Sequence, residues 1–432
     1  CRGKPNGVPS REAIRLFPEI EGFGNPPVTS DKTVRKALAV QFSTKPSSIK
    51  FDDKTITSVA SRFPKWKCPS WDDQSIHDRC RTALLSAKET SDPGYPLNLV
   101  YSTNKQAVEA EFSLLLEIII CRVKVMISTD LSEIPIEDLH LLGIRDAIRP
   151  FLKKEPHALR KLKENRFRVI SGIGLIDQSV ERVLFSVFNE GILSNYPTLD
   201  ALLGIGFTDD MDQKVGEVFS EFIEQAPDGR VPLTSDISGW DRCMSKLMTT
   251  GFSDVVYILC SNPSPELRLF LTNWVRLSTD TLVALPCGLI ISKGFEGHTV
   301  SGSYETTVWN GIVRLLCAAT FGNRAKVQGD DCIELAKDFK LLIDQYNAVG
   351  LPVRDVVEQS GDSFTFCSHH YVRKKDKWTA KLLSWPKALY KLLCSPKPDE
   401  ELLAAFLQEV RHDPVVVKRV ISVYSSLYST SD

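Results

Sequence analysis

The 432-residue sequence has no closely spaced cysteine pair, no cysteine and histidine cluster at zinc spacing, no long apolar run and no excess of one charge. Its eleven cysteines are scattered from Cys1 to Cys394. That distribution excludes a disulfide framework and a structural zinc, and it points to free thiols in a reducing compartment. The most apolar stretch, Leu114 to Cys121, is interrupted by Glu117 and is far too short to span a bilayer. With 53 basic and 54 acidic residues the formal net charge is -1, so a surface for nucleic acid has to be a local basic channel. No internal repeat or signal peptide is visible, and the chain begins at Cys1 without Met, as expected of a processed product or an excised piece. What is present is ordinary globular composition, 43% hydrophobic and 25% charged, over a length that suits two or three domains.

The densest chemical signal is Val327-Gln328-Gly329-Asp330-Asp331. Ala325 and Val327 alternate with Lys326 and Gln328 before it, and Cys332, Ile333 and Leu335 surround Glu334 after it, which reads as strand, turn, strand. Gly at the first turn position suits a type II′ hairpin, with both carboxylates at its tip. Adjacent carboxylates there suit divalent ions that clamp the attacking and leaving oxygens of a phosphoryl transfer. Paired aspartates also stand at Asp52-Asp53, Asp72-Asp73 and Asp209-Asp210, so the turn by itself does not separate a metal site from a solvated turn.

Its companions decide. Residues 1 to 100 read as an irregular, extended region that wraps other elements, with Gly and Pro through Gly22-Phe23-Gly24-Asn25-Pro26-Pro27. They close with Ser91-Asp92-Pro93-Gly94-Tyr95-Pro96, a rigid turn or an ordinary loop. A helix is predicted from about Lys105 to Val125. Between 153 and 168, Lys153, Lys154, Arg160, Lys161, Lys163, Arg166 and Arg168 face only Glu155 and Glu164. The run is either a solvated basic face or a phosphate contact. Phe167, Val169 and Ile170 interleave with the last arginines, which places Arg166 and Arg168 on one side of a strand, a pair of donor forks suited to a triphosphate. An amphipathic scaffold helix follows, with Val180, Val183, Leu184, Val187 and Phe188 inward and Asp177 as its expected N-cap.

In Leu233-Thr234-Ser235-Asp236-Ile237-Ser238-Gly239-Trp240-Asp241 an apolar strand ends at a carboxylate, and Gly239 turns the chain so that a second follows. The expected tasks are Asp236 on a metal and Asp241 accepting from a sugar hydroxyl. Ser301 and Gly302 then precede a helical pattern with Ile312, Leu315, Leu316 and Ala319 inward. Thr306 and Asn310, four apart, share one face of it. They suit the reading of a ribose or base edge, or else are incidental polar residues on a capped helix. Near the end, Pro398 opens a helix with acids in its first turn, Leu403, Phe406, Leu407 and Val410 inward, and Arg411 and His412 last, which matches the helix dipole. Lys374, Lys375, Lys377, Lys381, Lys387 and Lys391 precede it, either tracking a nucleic-acid duplex or forming a solvated surface.

Taken in order, Asp236-x4-Asp241, Ser301-Gly302-x3-Thr306-x3-Asn310 and Gly329-Asp330-Asp331 resemble motifs A, B and C of RNA-dependent RNA polymerases of positive-strand RNA viruses. Phe151 to Arg168 looks like motif F, Ser91 to Pro96 like motif G, the helix bearing Phe339, Leu342, Ile343 and Tyr346 like motif D, and Phe366 to His369 like motif E. The wording is closest to the sobemovirus, barnavirus and luteovirus-like group. The resemblance implies an α/β (α+β) right hand: fingers over 1–177, a palm over 178–377 with a fingers excursion near 253–293, and a thumb over 378–432. It implies template-directed RNA synthesis with Asp236, Asp330 and Asp331 on Mg²⁺, or Mn²⁺ as substitute. Lys153, Arg166 and Arg168 would hold the triphosphate. Asp241, Ser301, Gly302, Thr306 and Asn310 would form the nucleotide pocket, and Ser91, Gly94 and Pro96 the template entry. An RNA template and product, nucleoside triphosphates, a protein-linked primer and viral or host replication proteins are the implied partners. The implied place is the host cytoplasm, in a membrane-associated replication complex reached through those partners. A reverse transcriptase and a non-catalytic RNA-binding scaffold are the competing readings; the acidic Asp241, where a reverse transcriptase has a bulky gate, argues for RNA. One departure is Arg354, where the family often has a proton-donating lysine. Arginine holds its proton too tightly for that task.

Overall fold

The computed structural model describes residues 7–424 and 427, apart from 205, 207, 228 and 396; Cys1 lies outside them. At the centre four antiparallel strands run side by side in the order Val353–Glu358, Val231–Ile237, Asp331–Ala336, Arg324–Gln328. The two-residue period of a strand explains how Asp331–Ala336 is buried on both sides. Cys332 and Ala336 join the large core shared with the helix Thr306–Thr320, while Ile333 and Leu335 join a second core with Phe219, Phe364 and Phe366. In Val231–Ile237 the same alternation buries Leu233, Ser235 and Ile237 and leaves Asp236 on the more open face.

A three-stranded sheet, Ser363–Phe366, His369–Lys374 and Lys377–Leu382, closes that second core against the helix Asp209–Glu224. Gly216 permits the approach, since a Cβ there would lie 2.2 Å from the Trp378 ring. The helices Leu175–Ser194, Lys246–Leu259 and Pro265–Thr279 fill the large core together with Asn104–Ser128, which extends the predicted helix by about one residue at its start and three at its end.

Three expectations are corrected. The first hundred residues are more helical than irregular, with Arg11–Leu16, Asp31–Phe42, Asp53–Ala60 and Asp73–Leu85 capped by the side chains of Ser10, Ser30, Asp52 and Asp72. The pairs Asp52-Asp53 and Asp72-Asp73 are thus a cap followed by a first-turn acid, both favourable to the helix N-terminus. Asp177 is not an N-cap: its helix begins at Leu175 after Gly174, and the carboxylate is buried against Arg122 at 2.6 Å. Arg166 and Arg168 precede the strand Val169–Gly172 rather than lie on it.

The wrapping role of the N-terminal segment does hold. Ala13, Phe17 and Ile20 share a core with Leu389, Phe406, Val410 and Val420 of the C-terminal helices Trp385–Leu393, Glu400–Glu409 and Pro414–Val423. Arg419 adds an ion pair to Glu19 at 2.6 Å and a cation–π contact over Phe17. Cys68 to Cys394, the ten described cysteines, are free thiols, and no helix among the described residues is long and apolar enough to cross a membrane.

Candidate active site

The hairpin forms where its pattern predicts, with Gln328 paired to Asp331 across the turn and Gly329 at φ 59. Asp330 is absent from the positive-φ positions, so the turn has the left-handed first residue of type II′. In the neighbouring pair, Leu233 faces Glu334 and Thr234 faces Ile333. Asp236 and Asp331 lie two residues beyond the last of these pairs on their strands, and the charge of Asp236 acts on both Asp330 and Asp331. Carboxyl groups from two distant segments, Asp236 on one strand and Asp330 and Asp331 at the hairpin, therefore stand at one end of one sheet.

Their mutual field is visible in their ionisation. Burial in the recess, the charge of Asp330 and, more weakly, that of Asp236 raise the pKa of Asp331 from 3.8 to about 6. Asp330 itself is raised, first by burial and then by Asp236. Both residues are exposed, yet their surroundings withhold much of the hydration of a free carboxylate. Hard oxygen donors whose negative charges crowd one another suit a divalent cation. Arg354 meets part of that charge: its Nε donates to Asp236 Oδ2 at 2.8 Å, and its Nη2 donates to the same oxygen.

Asp241 is the second residue of the short helix Trp240–Cys243, which follows Gly239, whose φ of 72 makes the turn. It accepts a hydrogen bond from Asn310, and its pKa is raised to about 6 by burial and then by Asp330, against the pull of Arg168. Asp241 and Asn310 are thus brought together beside the metal-type carboxylates, as a sugar-reading pair requires. Ser301 and Gly302 are clamped to the strand Val169–Gly172. Ser171 N donates to Ser301 Oγ at 3.1 Å, Gly302 N donates to Ser171 O at 3.0 Å, and a Cβ on Gly302 would stand 2.4 Å from that oxygen. Thr306 is employed differently from the expectation, for its hydroxyl donates to the backbone of its own loop at Ser303, 2.9 Å away.

In the basic patch the unforeseen element is Glu155. It accepts from Arg168 at 2.7 Å and Lys387 at 3.0 Å, and pairs with Lys153 at 3.2 Å. Burial opposes its charge, but the Lys387 bond and the charges of Arg168 and Lys387 outweigh it and hold the pKa at about 2. Arg166 pairs with Glu164 at 3.0 Å. Arg168 acts electrostatically on both Asp241 and Asp330 and so lies on the recess side of the patch. Only the context of Glu155, one of two acids among seven bases, could have marked it. The Ser91 to Pro96 turn packs against the start of the helix Leu175–Ser194: a Cβ on Gly94 would come 2.6 Å from the Gly174 backbone, and Leu175 N donates to Pro93 O at 2.8 Å. Cys367, between Phe366 and His369, hydrogen bonds Asp331 and reaches Gln328 at 3.4 Å, a contact invisible in the sequence.

Another acidic group competes for attention. Among the described residues, Asp209, Asp212 and His412 bring ligand-type atoms within 4.8 Å of one another, closer than the three aspartates do. Arg411 already neutralises that set through Asp209 at 2.6 Å and through Asp212, so it acts as an ionic bond between the helix Asp209–Glu224 and the C-terminal helices.

The raised values carry a pH consequence. Because the folded-state pKa values of Asp241 and Asp331 lie above the ordinary 3.8, protonation favours the folded chain. That contribution is complete below about pH 4 and is lost as pH rises through about 6. With a chelator present, the thermal midpoint of wild type is expected to lose this contribution over that interval, and Asp331→Asn to lose less. Superimposable pH profiles for the two proteins would show that the carboxylates do not crowd.

Residues 249–374 match the family described as viral RNA-directed RNA-polymerase. Over 438 residues the chain is 27% identical to the replicase polyprotein P2AB of Southern cowpea mosaic virus, covering 95% of this chain and 44% of that protein. It is 28% identical over 439 residues to the replicase polyprotein P2AB of Southern bean mosaic virus, isolate Bean/United States/Arkansas, covering 97% and 44%. Protein P1-P2 of Potato leafroll virus, strain Potato/Scotland/strain 1/1984, is 28% identical over 318 residues, 69% of this chain and 29% of that protein. The chain thus spans less than half the length of these curated relatives.

Proposed function

We propose, from the chain's kinship with viral RNA-directed RNA polymerases, that it carries out template-directed RNA synthesis, transferring nucleotides from triphosphates to an RNA 3′-hydroxyl to replicate and transcribe a viral genome. The observation that carries this reading is the convergence of Asp236, Asp330, Asp331 and Asp241 at one end of the sheet, with Arg168 facing them. The central sheet is the palm of a right hand over residues 178–377, with an excursion near 253–293. Residues 1–177 are the fingers, and 378–432 a thumb that the N-terminal segment meets.

In this reading Asp236, Asp330 and Asp331 hold Mg²⁺, or Mn²⁺ in its place. When bound, the ions stabilise the charge that develops on the attacking and leaving oxygens. The chain's residues do the rest. Lys153, Arg166 and Arg168 receive the triphosphate oxygens, and Glu155 fixes Lys153 and Arg168 until phosphate replaces it. Asp241 accepts the ribose 2′-hydroxyl while Asn310 holds its carboxylate. The clamp between Ser171 and the Ser301-Gly302 loop keeps that pocket in register with the phosphate-binding loop. Thr306 supports the loop through its backbone, and Ser91, Gly94 and Pro96 line the template entry. The same reading includes a protein-linked primer, viral or host replication proteins, and action in the host cytoplasm at a membrane-associated complex reached through those partners.

The test is incorporation of labelled ribonucleotides on an RNA template with Mg²⁺. Synthesis of complementary RNA supports the proposal. A preference for deoxyribonucleotides would favour reverse transcription, and no incorporation by folded protein across templates and primers would favour a scaffold. A sharper expectation concerns Asp241→Ala: discrimination between ribonucleotides and deoxyribonucleotides falls about tenfold or more, as for a lost hydrogen bond to a substrate hydroxyl. An unchanged ratio in competition assays would assign Asp241 another task.

A further inference from the structure

Arg354 lies directly across the strand pair from Asp236. Its guanidinium is half-exposed, and both Nε and Nη2 are spent on Asp236 Oδ2, leaving Oδ1 without a bond to it. Asp355 pairs with the same guanidinium at 3.7 Å and has a φ of 52, and the pairing with Val231–Ile237 shifts register between Arg354 and Val357. The backbone beyond Arg354 is therefore irregular, and the side chain is held by its bonds to Asp236 and its pairing with Asp355. The other end of its reach is basic: Lys161 has a lowered pKa, through burial first and then through the charges of Arg354 and Arg166. Arg354 thus holds the carboxylate that would bind a cation and lies within electrostatic reach of the basic run that would bind phosphate.

We infer that Arg354 is a built-in counter-cation for Asp236: it competes with divalent ions for that carboxylate and, once displaced, turns toward the phosphates of the incoming nucleotide. The inference rests on the polymerase reading and adds a positioning residue to it. The chemistry is that of charge exchange. A guanidinium cannot shed its proton to make room, so a dication arriving at Asp236 must repel it bodily. Its donor fork matches phosphate oxygens as well as carboxylate. The exchange couples cation entry to nucleotide capture.

The experiment is Mn²⁺ binding to the nucleotide-free protein, followed by electron paramagnetic resonance, for wild type, Arg354→Gln, Arg354→Lys and Asp330→Asn. Arg354→Gln is expected to bind Mn²⁺ about five- to tenfold more tightly, the equivalent of losing one exposed ion pair together with its repulsion of the dication. Its KM for nucleotide should rise by a larger factor than its kcat falls, and Arg354→Lys should restore both properties toward wild type. A merely structural role would move Mn²⁺ affinity the other way, since a disturbed strand weakens the site. Unchanged or weaker Mn²⁺ binding in Arg354→Gln, with wild-type binding still abolished by Asp330→Asn, overturns this inference alone. Mn²⁺ binding that Asp330→Asn leaves intact overturns the polymerase site and this inference with it.

Discussion

Asp330→Ala is expected to abolish ribonucleotide incorporation, by at least about a thousandfold, because it removes a ligand at the point where charge on the transferring phosphoryl group must be offset. The thermal unfolding transition should stay close to that of wild type. Asp330 sits at the hairpin tip, where Gly329 sets the turn, and burial and Asp236 already disfavour its charge. Removing it relieves crowding and breaks no ladder bond. Asp330→Asn keeps the shape and loses the charge, and it should be nearly as inactive. Turnover within tenfold of wild type in either variant would reject the assignment of Asp330.

The largest expected loss of stability lies one layer beneath. Arg314, on the helix Thr306–Thr320, is fully buried; it donates to Ser235 Oγ at 2.7 Å, to Glu334 Oε2 at 3.4 Å and to the Tyr346 hydroxyl. Glu334 also accepts from Tyr346 at 2.8 Å and from Asn323 at 2.6 Å. The network ties the helix Phe339–Ala348, the helix Thr306–Thr320 and two strands together directly behind the carboxylates, with Ser235 adjoining Asp236. Arg314→Met leaves the Glu334 carboxylate buried without its counter-charge, a loss of about 3–5 kcal/mol. Chemical denaturation would measure it. Pairing the change with Glu334→Leu should recover a large part, because a buried ion pair replaced as a whole by apolar residues is often neutral. A single variant within about 1 kcal/mol of wild type would show that this pair does not hold the layer together.

The strands around Asp236 and Asp330 were legible because their alternation of apolar and polar residues is local. So were the hairpin turn, the helix near residue 105 and the inward stripe containing Phe406 and Val410. The N-terminal helices were missed for a local reason, since their caps are aspartates and serines that also mark loops. Asp177 misled because an acid in a helix's first turn suits a cap and a buried ion pair equally well, and Arg122 is 55 residues away.

The sequence by itself determined which residues could do the chemistry, and in what order: carboxylates at strand ends, small residues before a helix, bases clustered upstream. Only the tertiary structure decided how those groups are charged and restrained. Register across strands set Asp236 beside Asp331 and opposite Arg354, Glu155 gathered the bases from two distant segments, and the Thr306 hydroxyl turned to its own backbone. The reason is that side-chain type is a property of one residue, whereas pKa, ion pairing and access to solvent belong to the set of neighbours that folding assembles.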